Sequence, residues 1–468
     1  MIAKIFNDRD INIINNNIEK IMKKADINKS IKINPTINYF KEVMNIMMEY
    51  VKEKKRIIYG GTAWNILINK KNNKDKLYDE YTKHDLDFYS HEPIKDLKEI
   101  CDRLKNLNYE FIQGINAFHE ESYKIYVNFD EYCNITYMPK YIYTKIDKIV
   151  VDNYYLIGNR IILIDLLRQY NDPINSYYRL NKVFKRGNLI MKYYPLKLNT
   201  NGKDLDKLYD EQKNIVNLVF DYMVKDNKNI VFIDRNVIDI YINPNNNLSL
   251  NNVKFNDYPI EVITDNLKKK TREIYDFLLL NNINLNKLKV EEYYKFFQFL
   301  DNKTVFKYND YTILTIYGNN NYCIPYNLVN VHNNTRKIMI GTFNVCFLYL
   351  LINLIYNKIN NNKYDSIELI MSKMIKSKEK FLNDNNYSIL DNNIYQDFKI
   401  ECFGNVDDTI YKYKYNMFSN NKLNYSRSKI PKYDPYDEKN YLFNPDDYYF
   451  NNTSGYINNN FNIDEYNE

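Results

Sequence analysis

The stretch from Arg56 to Ser90, RIIYGGTAWNILINKKNNKDKLYDEYTKHDLDFYS, constrains this chain more than any other. Ile57 to Tyr59 form a short apolar run that suits a buried strand. Gly60 and Gly61 follow, and an apolar helical run begins at Ala63. Paired glycines let backbone N–H groups approach a ligand closely, and a helix N-terminus adds a field that favours phosphate. After a polar loop comes Asp85-Leu86-Asp87-Phe88. Side chains alternate along a strand, so the two aspartates share one face while Leu86 and Phe88 point into a core. Adjacent carboxylates repel each other, and a divalent cation is the usual relief.

Composition sets the outer bounds. With 468 residues and 45% hydrophobic content, the chain has enough core for two or three domains. The 48 tyrosines and abundant Asn, Lys and Ile read as an AT-rich coding sequence, so single residues of these types carry little information. The net charge of +6 mildly favours a polyanionic partner. Five scattered cysteines without a C-x-x-C argue against disulfides and against a zinc site, and fit a reducing compartment. No secretory leader and no apolar run long enough to span a bilayer is present, which predicts an intracellular protein that does not enter a membrane.

Residues 1–33 read as short polar helices, and Pro35-Thr36 opens a clearer one. The lysine-rich loop Asn69 to Lys83 reads as solvated. Tyr123 to Phe129 and Tyr132 to Met138 read as strands joined at Asp130-Glu131. Further on, 230–233 and 237–242 read as strands, and helices are expected near 272–280 and 290–300. The 312–329 region reads as a strand pair, followed by a long buried helix.

The joined form GGTAWNIL…HDLDFYS resembles the polymerase-β-like nucleotidyltransferases. A narrower likeness lies in IILIDLLRQYNDPINSYYRLNKVFKRGNL, which resembles the catalytic subunits of poly(A) polymerases from large DNA viruses. The similarity extends from about residue 35 to about 440. It implies an α+β fold with a helical segment at 1–55, a nucleotidyltransferase domain at 56–200 and a C-terminal α/β domain at 201–420. That C-terminal domain would be a degenerate copy of the first, followed by a loosely ordered Asn/Tyr-rich tail at 421–468.

The resemblance implies template-independent adenylate addition to an RNA 3′ end from ATP, with Mg²⁺ or Mn²⁺. Asp85 and Asp87 would hold the metals. Gly60, Gly61 and Thr62 would position the phosphates, with Asn65, Arg179 and Lys182 as further ATP contacts. Arg179, Lys182 and Arg186 fall on one helix face and could instead take the RNA backbone. The family places a third carboxylate where this chain has Asn134. A neutral amide cannot act as a base, so the family pattern predicts an active but slow enzyme, with Asp130 as the alternative third acid. A homodimer or a separate processivity subunit, and work in the host-cell cytoplasm or virion, are further implications. The alternatives are another nucleotidyltransferase, of the tRNA-modifying or toxin type, and a non-catalytic RNA-binding subunit on the same fold.

Overall fold

The computed structural model describes residues 5–32, 36–117, 121–205, 207–225, 229–244, 257–319, 322–331, 336–404 and 457–458. These fall into two compact units. The first comprises the described residues up to Tyr137 together with Lys148–Ile157, and the second comprises Met138–Asp147 and the described residues from Gly158 to 404, with 457–458.

The first unit opens with α1 (Asp8–Lys32), one continuous helix where the polar sequence suggested several short ones. Helix α2 (Thr36–Glu53) buries Phe40, Val43, Met44, Met47, Tyr50 and Val51 along one stripe, each apolar side chain contributing about 1.5–3 kcal/mol. Strand β1 (Ile57–Tyr59) leads straight into α3 (Gly60–Lys71). Next come β2 (Leu86–Ser90), α4 (Pro93–Asn106), β3 (Gln113–Asn116), β4 (Ser122–Val127) and β5 (Asp130–Tyr137). A hairpin of β6 (Lys148–Val151) and β7 (Tyr154–Ile157) completes a seven-stranded sheet in the order β3-β4-β5-β2-β1-β7-β6. The turn between β4 and β5 falls on Asn128-Phe129, both at positive φ, two residues before the position read from the sequence. Asn128 tolerates that region; Phe129 is held there by the pairing on either side.

A buried polar node anchors β1. Arg56 donates to Asp96 on α4 at 2.7 Å, and Tyr50 of α2 donates to the same carboxylate oxygen at 2.8 Å. Burial and that carboxylate push the Tyr50 phenol far up, so it stays a donor.

The second unit contains α5 (Lys140–Lys145), α6 (Asn159–Tyr170), α7 (Leu180–Tyr193), α8 (Asp210–Lys225), β8 (Ile230–Phe232), α9 (Arg235–Ile242), β9 (Ile260–Thr264) and α10 (Leu267–Leu280). Strands β10 (Leu288–Tyr293), β11 (Lys303–Tyr308), β12 (Tyr311–Gly318), β13 (Ile324–Val331) and β14 (Arg336–Gly341) follow. Then come α11 (Phe343–Ile359), α12 (Asp365–Asp384), β15 (Cys402–Phe403) and β16 (Ile457–Asn458). Three expectations change here. Residues 237–242 are helical because Asp234 caps α9, accepting from the N–H groups of Asn236 and Val237 at 2.8 and 3.1 Å. Residues 290–293 are strand because they pair along β11. And β12 and β13, both strands, pair with other partners and not with each other. The tail from 421 lies outside the described residues except for Ile457–Asn458, which pair with β10.

The second sheet repeats the first, strand for strand. β8 runs antiparallel to β9 and parallel to β14, as β1 does to β2 and β7. β9 runs parallel to β12, as β2 does to β5, and β12, β11 and β10 form the same antiparallel meander as β5, β4 and β3. The register aligns individual positions. Phe232 pairs with Ile340 as Ile58 pairs with Leu156. That places Asp234 at the position of Gly60, and Glu261, on the directly paired β9, at the position of Asp87. Pro259 then matches Asp85, and Thr315 matches Asn134.

A further departure concerns the cysteines. Cys323 and Cys402 form a disulfide with Cα atoms 5.2 Å apart, beside the β13–β15 pairing, while Cys101, Cys133 and Cys346 are buried thiols. A separation of 79 residues left no trace of this pair in the spacing.

Candidate active site

The Gly-Gly turn and the acidic strand meet because β1 and β2 pair antiparallel, with Tyr59 opposite Asp87. Gly60 sits at φ +64°, and a Cβ there would lie 2.3 Å from Asp87 Oδ2. The glycine is therefore required twice, for its left-handed backbone and for room beside the carboxylate. Tyr59 is the N-cap residue of α3, in extended conformation, and its side chain makes no capping bond, so the helix begins beside the Asp87 carboxylate. Thr62 donates its hydroxyl to the Asp85 carbonyl at 2.8 Å. The Asn65 oxygen accepts from the N–H groups of Leu77 and Tyr78 at 2.8 and 3.1 Å, pinning the loop that leads to the acidic strand.

β5 lies parallel to β2 with Asn134 beside Asp87. The Asn134 amide donates to Asp85 Oδ2 at 3.1 Å and to Asp87 Oδ1 at 3.0 Å. One neutral donor thus bridges two carboxylates that would otherwise repel. Beneath them the buried Cys133 thiol is pushed well up, first by burial and then by these two carboxylates. Among the described residues no three His, Cys, Asp or Glu side chains gather as a metal-ligand set. The donors present are two carboxylates converging on one point and an amide that can offer oxygen after a half-turn of its plane, a hard set that fits Mg²⁺ or Mn²⁺.

Two residues of this face escaped the sequence reading. Lys124 on β4 is the cross-strand partner of Asn134. A bulge in the β4–β5 pairing leaves Tyr132 as an extra residue, which reverses the alternation and turns Glu131 to the side of Lys124. Glu131 accepts from Lys124 at 2.6 Å and from the Tyr126 hydroxyl at 2.9 Å. Its offset of three from Asn134 would put it on the opposite face of a regular strand, so only the pairing reveals it. Asp130 sits at the hairpin tip and is ion-paired with Lys83 at 3.0 Å.

The residues of the 161–186 motif lie in the second unit and divide by role. Desolvation of the half-buried Asp165 carboxyl pushes it up to about 6, while nearby Arg168 opposes the shift. Arg168 donates to the Tyr322 hydroxyl at 2.5 Å. Buried Asp172 accepts from the Asn175 backbone and amide, both at 3.1 Å, closing the turn before α7. Arg179 and Lys182 are exposed, and Arg186 is half-buried.

A glycine turn at a helix start, facing an aspartate pair on a mixed sheet, defines the polymerase-β-like nucleotidyltransferases. Family models sharpen that class: the model for the poly(A) polymerase catalytic subunit matches residues 45–176, and one for the C-terminal region of the APMV poly(A) polymerase catalytic subunit matches residues 188–466. The chain belongs to the poly(A) polymerase catalytic subunits of large DNA viruses, and it is a polynucleotide adenylyltransferase. A relative assigned to this family in Acanthamoeba polyphaga mimivirus is 30% identical over 429 residues, 86% of this chain and 73% of its own. One in African swine fever virus is 25% identical over 159 residues, a third of each chain (33% and 33%). The crystal structure of the Megavirus polyadenylate synthase superposes with a TM-score of 0.82 at 26% identity, covering 92% of this chain and 86% of that one.

Proposed function

We propose that this chain adds adenylate from ATP to the 3′ end of RNA at the site built by Gly60, Gly61, Asp85, Asp87 and Asn134. The observation that carries the reading is the convergence of both carboxylates on one point beside the glycine turn that starts α3. In this reading the Gly60-Gly61 backbone lets the triphosphate approach the helix start closely, and Thr62 and Asn65 hold the strand and loop that flank it. Asp85 and Asp87 are the metal ligands of this reading. When bound there, Mg²⁺ or Mn²⁺ supplies positive charge that stabilises the triphosphate and eases ionisation of the attacking 3′-hydroxyl. Asn134 orients the two carboxylates, and with its plane turned it offers an oxygen in place of the nitrogen. It takes no proton, which leaves this enzyme without a base at that position. Arg179 and Lys182 serve the polyanionic substrates, whether triphosphate or RNA.

The relatives are viral proteins, so viral messages are the substrate of this reading, and the cytoplasmic factory or the virion its place of work. Among the described residues no helix is long and apolar enough to cross a membrane. The test is extension of a short oligo(A) primer with ATP and either metal. Wild-type protein should lengthen the primer. Asp85→Asn should not, while melting at the wild-type temperature. A folded wild-type protein that incorporates no adenylate with either metal would sink the reading.

A further inference from the structure

From Pro173 to Lys203 the chain carries seven Lys or Arg and no Asp or Glu, although 65 bases and 59 acids are nearly balanced overall. Most of this run is α7, which sits on α6 through Val183, Gly187 and Ile190. Gly187 lies so close that a Cβ would come within 3.0 Å of the Leu166 side chain. The opposite side of the helix points outward and carries the exposed Lys182 and Lys185. A short turn, Tyr177–Arg179, immediately precedes it.

Tyr177 and Tyr178 on that turn are 69% and 71% exposed, the two most exposed tyrosines among the described residues. Their ring centroids are 5.9 Å apart at 82°, so each presents a separate face. The turn is firmly built: Asp172 is buried and closes onto Asn175, Ser176 donates to the Asp172 carbonyl at 3.1 Å, and Arg179 donates to the Ser176 carbonyl at 2.9 Å. Two aromatic faces held in water by a fixed turn, beside an acid-free cationic helix, match one occupant. A base stacks on an aromatic face whatever its identity, and its phosphates favour the cations alongside. A triphosphate alone would use the cations but not the rings.

We propose that Tyr177 and Tyr178 form a stacking platform for single-stranded RNA, with Arg179, Lys182 and Lys185 tracking its backbone. The assignment rests on the polyadenylation reading, and it moves Arg179 and Lys182 from the triphosphate to the primer. The test uses the full-length protein, a fluorescent fifteen-nucleotide oligo(A) for direct binding, and primer extension for the KM of ATP. Replacing both tyrosines by Ala should weaken oligo(A) binding roughly 10- to 100-fold, while the slope of log K against log salt stays constant. The KM for ATP should change less than about twofold, and the double Phe variant should bind as wild type, because stacking needs the ring and not the hydroxyl. Lys182→Gln with Lys185→Gln should instead flatten the salt slope by about 1.4, at roughly 0.7 per phosphate contact on a single strand.

Wild-type binding by the double Ala variant overturns the platform, and so does a rise in the KM for ATP with RNA binding intact. A change in self-association alone, seen by light scattering, overturns it too and assigns the tyrosines to a protein contact. RNA binding is measured without catalysis, so a protein that binds oligo(A) through these residues but adds no adenylate would refute the polyadenylation reading alone.

Discussion

In the first unit Asp87 pairs with Tyr59, its carboxylate lies against Gly60, and it shares the amide of Asn134 with Asp85. The matching strand of the second unit carries Glu261, with Asp234 where the glycine would be. There the acids are relieved differently. The Tyr317 hydroxyl donates to Glu261 at 2.8 Å, and Asp234 spends one oxygen on capping α9. Lys303 stands 5.1 Å from the Tyr293 ring, 5.6 Å from Tyr317 and 4.8 Å from Tyr356, and burial brings its ammonium down to about 8. One strand plan thus yields two outcomes. Glycine leaves space at the start of the helix for a phosphate, whereas the Asp234 side chain fills that space and caps the helix itself. The second sheet repeats the architecture without the glycine turn and the acid pair of the first.

The largest expected contrast is between the matched acids. Asp87→Asn should lower adenylate incorporation on the order of 10³-fold or more, since a ligand charge at the reacting phosphate is lost. Glu261→Gln should leave the rate within about twofold. Equal losses in both variants would mean that the second sheet takes part in chemistry and that the contrast is false.

Gly60→Ala comes next. The new methyl group meets the Asp87 carboxylate and needs a backbone that Ala adopts poorly. A displacement of about 1 Å at the reacting centre costs roughly 10²-fold in rate. Gly61→Ala, for which no such clash exists among the described contacts, is the internal control; steady-state kinetics of the two distinguish crowding at Asp87 from a general need for flexibility.

Asn134→Asp sharpens the comparison by removing the neutral bridge. Without metal, a third carboxylate joins two others, so the melting temperature in EDTA should fall below wild type. Adding Mg²⁺ should restore it by more than it raises wild type. Incorporation with Mg²⁺ should rise, by about tenfold or more, since loss of a general base costs 10²–10⁴-fold. A melting temperature no more metal-sensitive than wild type would remove Asn134 from the metal site. Glu131→Gln in the same assay shows whether the acid turned inward by the bulge contributes.

The smallest effect is one of pH on the second sheet. Burial, the largest cause, pushes the Asp234 carboxyl from 3.8 up to about 7, and Glu261 adds to the rise. The fold favours the protonated form, so this stabilisation is full below pH about 3.8 and is lost as pH rises through about 7. Asp234→Asn keeps an acceptor for the α9 cap and removes the titration. Its melting temperature should be flatter than wild type between pH 4 and 7, and a parallel decline in both proteins would trace the loss to other groups.

The site was legible where its chemistry is local. Gly-Gly before an apolar helical run and Asp-x-Asp within a strand are patterns of neighbouring residues, and backbone sterics and strand alternation suffice to read them. Asn134 was also placed beside the aspartates, because β5 alternates regularly from Cys133 to Tyr137. Residues 237–242 and 290–300 misled because β-branched and aromatic residues suit either element. A single capping carboxylate at Asp234, and the pairing of β10 with β11, decided them.

By itself the sequence determined the turn, the acid pair and the class of chemistry, since those depend on contacts spanning a few residues. Tertiary structure alone decided the rest. The bulge that turns Glu131 toward Lys124 exists only in the register with β4. The Cys323–Cys402 bond needs two segments 79 residues apart to be brought within reach. The repeated sheet became visible only through its hydrogen-bonded order, because the second copy shares the strand plan of the first but not its site residues. Hydrogen bonding between strands constrains backbone geometry and leaves side chains free to change, so architecture persisted where the chemical pattern did not.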